Sequence, residues 1–146
     1  MDYRPPIITI LNDHEFELVE PFTYEWQEET DHVVATQRIT IPKGDCTDGA
    51  SVPRICWSLT GLLPTGVHMG AAAMHDYLYQ RRGELCKGEY ERLKNNGEWV
   101  ASLLKWDRKQ CDDLFLRIMQ EAGETPWKAN LMHWAVRVFG GAAWDN

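Results

Sequence analysis

The feature that most constrains this chain is a change of period at Gly44. Before it, "IITIL", "EFELVEPFTYEW" and "DHVVATQRITIPKG" set β-branched and aromatic residues against polar ones in rough alternation. That is the period of two expected of half-buried strands. Beyond it, apolar residues recur at three- and four-residue intervals, as on one face of a helix. Strands first and helices after is the order of an α+β fold, with an antiparallel sheet segregated from the helices. We therefore expect an N-terminal antiparallel hairpin or sheet packed on a C-terminal bundle of about three helices. With 146 residues, one domain spanning 1–146 is long enough to enclose a single core.

The punctuation between these runs sets the expected elements. "QEETD" is a polar turn, so the second and third strand segments should pair as a hairpin. "DCTDGASVPR" has the Asp, Gly, Ser and Pro content of a structured loop. The spacing predicts a helix over 65–82, with Gly83 at the left-handed cap. Within it, "GAAA" at 70–73 allows another backbone to come close. "NNG" at 95–97 is a hairpin signal and favours a small β-excursion between Gly83 and Trp106. Asp107 and Gln110 form a capping box for the next helix, which Gly123 ends. Cys111, Leu114, Phe115, Ile118, Met119 and Ala122 are its expected buried stripe. The last helix should take Thr125 as N-cap and Pro126 as first residue, with Gly140 as its stop. Its expected apolar face is Trp127, Leu131, Trp134, Ala135 and Val138.

Charge narrows the partners. The formal net charge is −7, which argues against a nucleic-acid binder, because neutralising phosphates takes clustered Lys and Arg. Cys46, Cys56, Cys86 and Cys111 have neither zinc-type spacing nor an obvious pairing, and read as reduced, buried residues of a cytoplasmic protein. "MDYRPPIITI" does not read as a signal peptide, and no apolar run has the length of a transmembrane span.

"TDGASVPR", "AAAMHDYLY", "RKQCDDLF" and "AVRVFGGAAW", in that order, resemble a family of small phage and prophage proteins catalogued as a domain of unknown function. The resemblance runs from "FELVEPFTYEW" to Trp144. It implies a viral or prophage origin, acting in the host cytoplasm or in the virion, and leaves the reaction open. A second, local similarity is to secreted phospholipase A-two enzymes, which share a His-Asp-x-x-Tyr helix followed by a Cys-Asp helix. Carried over by motif position, it implies His75 as general base toward water and Asp112 as the residue orienting it. Tyr79 would belong to the supporting hydrogen bonds, and Asp76 would be a ligand to a divalent cation such as calcium. Gly49 is the only glycine between Asp45 and Thr60, so the glycine-rich calcium loop of those enzymes is not reproduced, nor is their disulfide framework.

Geometry can be argued without either resemblance. Adjacent helical residues point about 100° apart, so His75 and Asp76 address different places. Tyr79 and Ala72 share the face of His75, while Asp76 points elsewhere, toward the Asp48–Ser51 loop. Asp112 sits at the edge of an apolar stripe, where a buried carboxylate partner for His75 belongs, and Asp113 points to solvent. Such a pair fixes the imidazole tautomer, yet it serves equally as a structural link between two helices. Asp76 is either an ion ligand or a capping carboxylate. Within the loop, Asp48 and Gly49 suit an Asx-type turn, and Ser51 suits a turn cap. Arg54 suits either a bidentate anion contact or a salt bridge. No Gly-x-Ser-x-Gly elbow is present for a serine nucleophile.

Two functions follow. One is a hydrolase in which His75 activates water, with a small-molecule or cell-envelope substrate. The other is a non-enzymatic virion component or host-factor binder. The hydrolase needs His75 on an accessible cleft. The binder allows His75 to be sealed and expects an apolar patch on the surface.

Overall fold

The computed structural model describes residues 3–12, 15–47, 69–102 and 105–145. Its architecture is α+β, with the strands in the N-terminal part and the helices after them. Strands β1 (Ile8–Asn12), β2 (Glu15–Leu18) and β5 (Cys46–Thr47) form one antiparallel sheet in the order β1-β2-β5. Strands β3 (Phe22–Thr30), β4 (Val33–Ile41), β6 (Tyr90–Leu93) and β7 (Trp99–Ala101) form a second, in the order β3-β4-β6-β7. The helices among the described residues are α1 (Met69–Gln80), α2 (Arg108–Glu121), α3 (Pro126–Phe139) and the short α4 (Gly141–Asp145).

The run "EFELVEPFTYEW" is two strands in two sheets rather than one. Leu18 and Val19 donate their N–H groups to the carbonyls of Asp45 and Ile7. Pro21 then has no N–H to continue a ladder, and the chain turns into the second sheet. The β3–β4 pair is the expected hairpin, but its turn is only Asp31 and His32. Gln27 through Thr30, taken from sequence as turn residues, continue the ladder opposite Val33–Thr36. Asp31 and His32 have φ of 49° and 65°, the primed turn whose twist matches that of the strands. Alternation buries Phe22, Tyr24 and Trp26 of β3 and Gln37, Ile39 and Ile41 of β4. Buried Gln37 is satisfied at both ends, donating to Glu28 at 3.0 Å and accepting from the Tyr90 hydroxyl.

The excursion after Gly83 is the β6–β7 hairpin, which widens the second sheet through Ile39↔Tyr90 and Arg38↔Glu91. Lys94 closes its turn by accepting from Gly97 at 3.0 Å. The excursion leaves and rejoins the helical half at one point, where Trp106 N–H donates to the Gly83 carbonyl at 3.0 Å.

Helix α1 is buried on every side from Gly70 to Tyr79, as a central helix of small and apolar residues should be. Gly70 lets it lie against the Tyr3 hydroxyl and the Phe22 ring, where a Cβ would come within 2.1 and 2.9 Å. At its end Arg82 donates to the Tyr79 carbonyl and Gly83 to that of Leu78. This is the Schellman pattern, and the first left-handed residue is Arg82 (φ 51°), with Gly83 (φ 75°) following it. Helix α2 has the expected capping box and buries Cys111, Leu114, Phe115, Ile118 and Met119, whereas Ala122 of the expected stripe is its C-cap and only partly buried. It ends at Gly123, whose φ is 87°.

Helix α3 has the expected bounds, though the Thr125 side chain makes no capping bond. Its orientation differs from expectation. The face turned inward is Ala129, Met132, Ala135 and Val136, while Trp127, Trp134 and Val138 are more than half exposed. The cause is polar. Arg108 donates to the carbonyls of Val136 and Arg137 at 2.9 and 3.0 Å, and Arg137 reaches inward to Asp112 at 2.7 Å. Those bonds hold α3 in the rotation that turns Ala129, Met132, Ala135 and Val136 inward. The cysteines also depart in part from expectation: Cys111 is buried and free, but Cys46 and Cys86 are exposed. Cys56 lies outside the described residues.

Gly83 offers a direct check of the neck. A Cβ there would sit 1.8 Å from the Trp106 carbonyl oxygen, in addition to the left-handed backbone cost. Gly83→Ala should lower the unfolding free energy by more than about 2 kcal/mol in urea titration. A change near zero would mean that the neck is looser than described.

Candidate functional site

The most elaborate polar arrangement among the described residues centres on the Asp112 carboxylate. Oδ1 faces His75 Nε2 at 2.8 Å and also accepts from the Tyr79 hydroxyl. Oδ2 accepts from Arg137 Nη1 at 2.7 Å, with Arg108 Nη1 at 3.8 Å. Asp112 therefore ties α1 to α3 through α2. His75 and Tyr79 lie four residues apart on one helix face and reach the same oxygen, as their spacing requires. The imidazole packs between Tyr79 (centroids 4.1 Å) and Phe115 (4.6 Å). Gly140 makes room for the junction, since a Cβ there would lie 2.4 Å from the Val136 carbonyl and 2.8 Å from the Tyr79 hydroxyl.

The electrostatics follow from these partners. Burial alone would raise the Asp112 pKa. The hydrogen bonds from His75, Tyr79 and Arg137 outweigh burial and hold it below the ordinary carboxylate value. An ionised carboxylate only accepts, so His75 Nε2 carries a proton and, in the neutral ring, Nδ1 holds the lone pair. Burial, and then the Asp112 carboxylate itself, push the Tyr79 hydroxyl well above the usual phenol range, so it stays a donor. The side chains of His75 and Asp112 are both 0% exposed.

Asp76 faces the other way, as its position beside His75 dictates. It is buried and accepts from the Thr47 hydroxyl of β5, tying the first sheet to α1. Nearby, Tyr77 donates to Glu89, and the Arg81 guanidinium lies 3.5 Å over the Tyr77 ring. Burial first, and then the charges of Asp76 and Glu89, lift the Asp45 pKa to about 6 although Arg81 pulls it down. Among the described residues no group of three or more His, Cys, Asp or Glu is arranged to hold a metal ion.

His75, Asp112 and Tyr79 are thus brought together, while Asp76 sits apart from them. Asp48, Gly49, Ser51 and Arg54 lie outside the described residues. Sequence reasoning passed over Arg108, Arg137 and Thr47. Arg108 carried a readable signal, since it precedes Asp112 by four residues, a spacing that puts two helical side chains side by side. Arg137 had a weaker one: α3 contains no acidic residue, so its arginine must look to another element for a partner.

A family described as "Protein of unknown function (DUF1353)" matches residues 16–136. The chain belongs to that family. The matched span holds all of α1 and α2, and with them the His75–Asp112–Tyr79 cluster and Asp76, while Arg137 falls one residue beyond it. The DUF1353 chain is also similar to "Uncharacterized protein y4jT" of Sinorhizobium fredii (strain NBRC 101917 / NGR234), with 26% identity over 100 residues. That alignment covers 68% of this chain and 23% of the relative, so the chain spans about a quarter of the length of the curated relative it matches. No solved structure matches it. No described helix is long and apolar enough to cross a membrane.

Two carboxylates give opposite pH signatures. Asp112 has a depressed folded pKa, so its stabilisation is present above the unfolded value of about 3.9 and is lost as pH falls through the folded one. Asp112→Ala should cost about 3–5 kcal/mol at neutral pH, and the gap from wild type should shrink in acid. A pH-independent gap in denaturation curves would contradict the depressed pKa. Asp45 has a raised folded pKa, so stability falls as pH climbs from the unfolded value of about 3.9 to about 6. Asp45→Asn should therefore raise the melting temperature at pH near 7 and leave it unchanged in acid below both values. A lower melting temperature at neutral pH would show that Asp45 is held by favourable partners instead.

Proposed function

We propose that this DUF1353 protein is phage- or prophage-encoded and non-enzymatic, either itself a virion component or a binder of a host factor, and that it acts through its surface. In this reading the Asp112 cluster is internal scaffolding. One contrast carries the proposal: the imidazole and its carboxylate are fully enclosed, while bulky apolar side chains stand in solvent on α3. A general base must touch the water it activates, whereas a binding surface needs exposed apolar area, and contiguous patches on monomers tend to mark interaction sites. The net charge of −7 weighs against nucleic acid as the partner.

One observation favours a second reading, a hydrolase. The Asp112 carboxylate holds the ring through Nε2, and a carboxylate that orients an imidazole is a recurring part of general-base sites. His75 would be the base, Asp112 its positioning residue and Tyr79 a further support. Asp76 with a divalent cation such as calcium, or Arg54, would stabilise the developing oxyanion. The substrate would be a small molecule or a cell-envelope component. This reading requires the enclosure around His75 to open during turnover.

Access to the imidazole separates the two. Diethyl pyrocarbonate at neutral pH should modify exposed His32 much faster than His75, as read by peptide mass spectrometry. Phospholipid, simple ester and peptidoglycan substrates, with and without calcium, should show no turnover that His75→Ala abolishes. Rapid modification of His75 together with His75-dependent hydrolysis would replace the binding proposal with the hydrolase.

A further inference from the structure

We infer that the outer face of α3 is the interface between two copies of this chain, with their α3 helices antiparallel about a two-fold axis passing between Leu131 and Trp134. The inference rests on the binding reading above and names the partner as a second copy.

The first observation is exposure. Trp127 is 57%, Trp134 55%, Val138 53% and Phe139 55% exposed, and Leu131 between them is half-buried. Trp134 and Phe139 meet edge to face at 5.8 Å, so the patch is continuous at that end. The second is spacing. Trp127, Leu131, Trp134 and Val138 are separated by four, three and four residues, the d-a-d-a seam that receives another helix rather than a flat surface. The inner face of α3 is filled separately by Ala129, Met132, Ala135 and Val136, and among the described residues Trp127, Trp134 and Val138 of the seam are not part of the core.

The third observation is self-complementarity. Antiparallel pairing about that axis sets Trp127 of each copy against Val138 of the other, and Leu131 against Trp134. Each of these seam contacts then joins an aromatic ring to an aliphatic side chain, the large-against-small alternation that lets layers interdigitate, and the same patch serves both copies, as a two-fold axis requires. Parallel pairing would set tryptophan on tryptophan and leave Leu131 against itself.

Charge opposes pairing overall but favours this face over the others. The chain carries 22 acidic residues, none of them within α3. Copies with net charge −7 repel least when this face is turned inward. Lys128 would lie across from Arg137 of the other copy, but that guanidinium already donates to Asp112. Half-exposed aromatic side chains of about 150–250 Å² each amount to several hundred Å² per copy. That is well below the roughly 800 Å² per partner of a standard interface, which makes the dimer weak and reversible.

Sedimentation velocity on the full chain, from micromolar to near-millimolar concentration, tests the pairing. Wild type should pass from monomer to dimer, and added salt should tighten the dimer by screening the repulsion. Trp134→Glu should weaken pairing by more than about tenfold with an unchanged melting temperature, because Trp134 is not part of the core. Val138→Arg should do the same and guards against a local effect of the first substitution. A wild-type chain that stays monomeric throughout overturns the pairing. So does a dimer indifferent to both substitutions. Binding of the monomer to phosphatidylglycerol vesicles that salt weakens would also overturn it, making the face a membrane surface. Each of these outcomes leaves the binding reading itself to the His75 access test, so the two fail separately.

Discussion

One carboxylate organises the helical half. Asp112 is fully buried, and a lone buried charge would be strongly destabilising. It is tolerated because α1 supplies two donors to one oxygen and α3 supplies a guanidinium to the other. The requirement runs in both directions. Asp112 needs those donors, and meeting it fixes the facing rotation of α1 and α3 and the close approach of Gly140 to Tyr79. The orientation of the molecule's exposed aromatic face is therefore a consequence of a charge satisfied inside it.

The sheets meet this half through two smaller contacts. The Thr47 hydroxyl on Asp76 joins the first sheet to the back of α1. The Gly83–Trp106 bond lets the chain leave the helices, add two strands to the second sheet and return at the same point. Trp106 then packs edge-on against both Trp26 and Tyr90, so the excursion is locked to the core by aromatic contact.

Much of this was legible in the sequence because it is local. The capping box at Asp107, the left-handed stop at Gly123, the "NNG" hairpin and the α2 stripe depend on residues within a few positions of one another. The sharing of Asp112 by His75 and Tyr79 also follows from helical spacing, once Asp112 is placed at a stripe edge. What was not legible depends on distant partners. The outward turn of Trp127 and Trp134 is decided by Arg108 and Arg137, and periodicity alone assigns the bulkier face of α3 to the core. The break at Val19–Pro21 depends on Asp45 and Ile7 as hydrogen-bond partners, which no local pattern reveals. Alternation likewise cannot tell a strand end from a turn in "QEETD", where the pairing with β4 decides.

The central claim is that His75 and Asp112 form an enclosed bond that stays closed while the protein works through its surface. The His75 Nε2–H proton reports on this directly. Observed by nitrogen-edited NMR of the ring, it should be present as a hydrogen-bonded Nε2–H. Its exchange with solvent should need an opening free energy close to that of global unfolding. Exchange as fast as that of an exposed imidazole N–H, or a proton found only on Nδ1, would contradict the account.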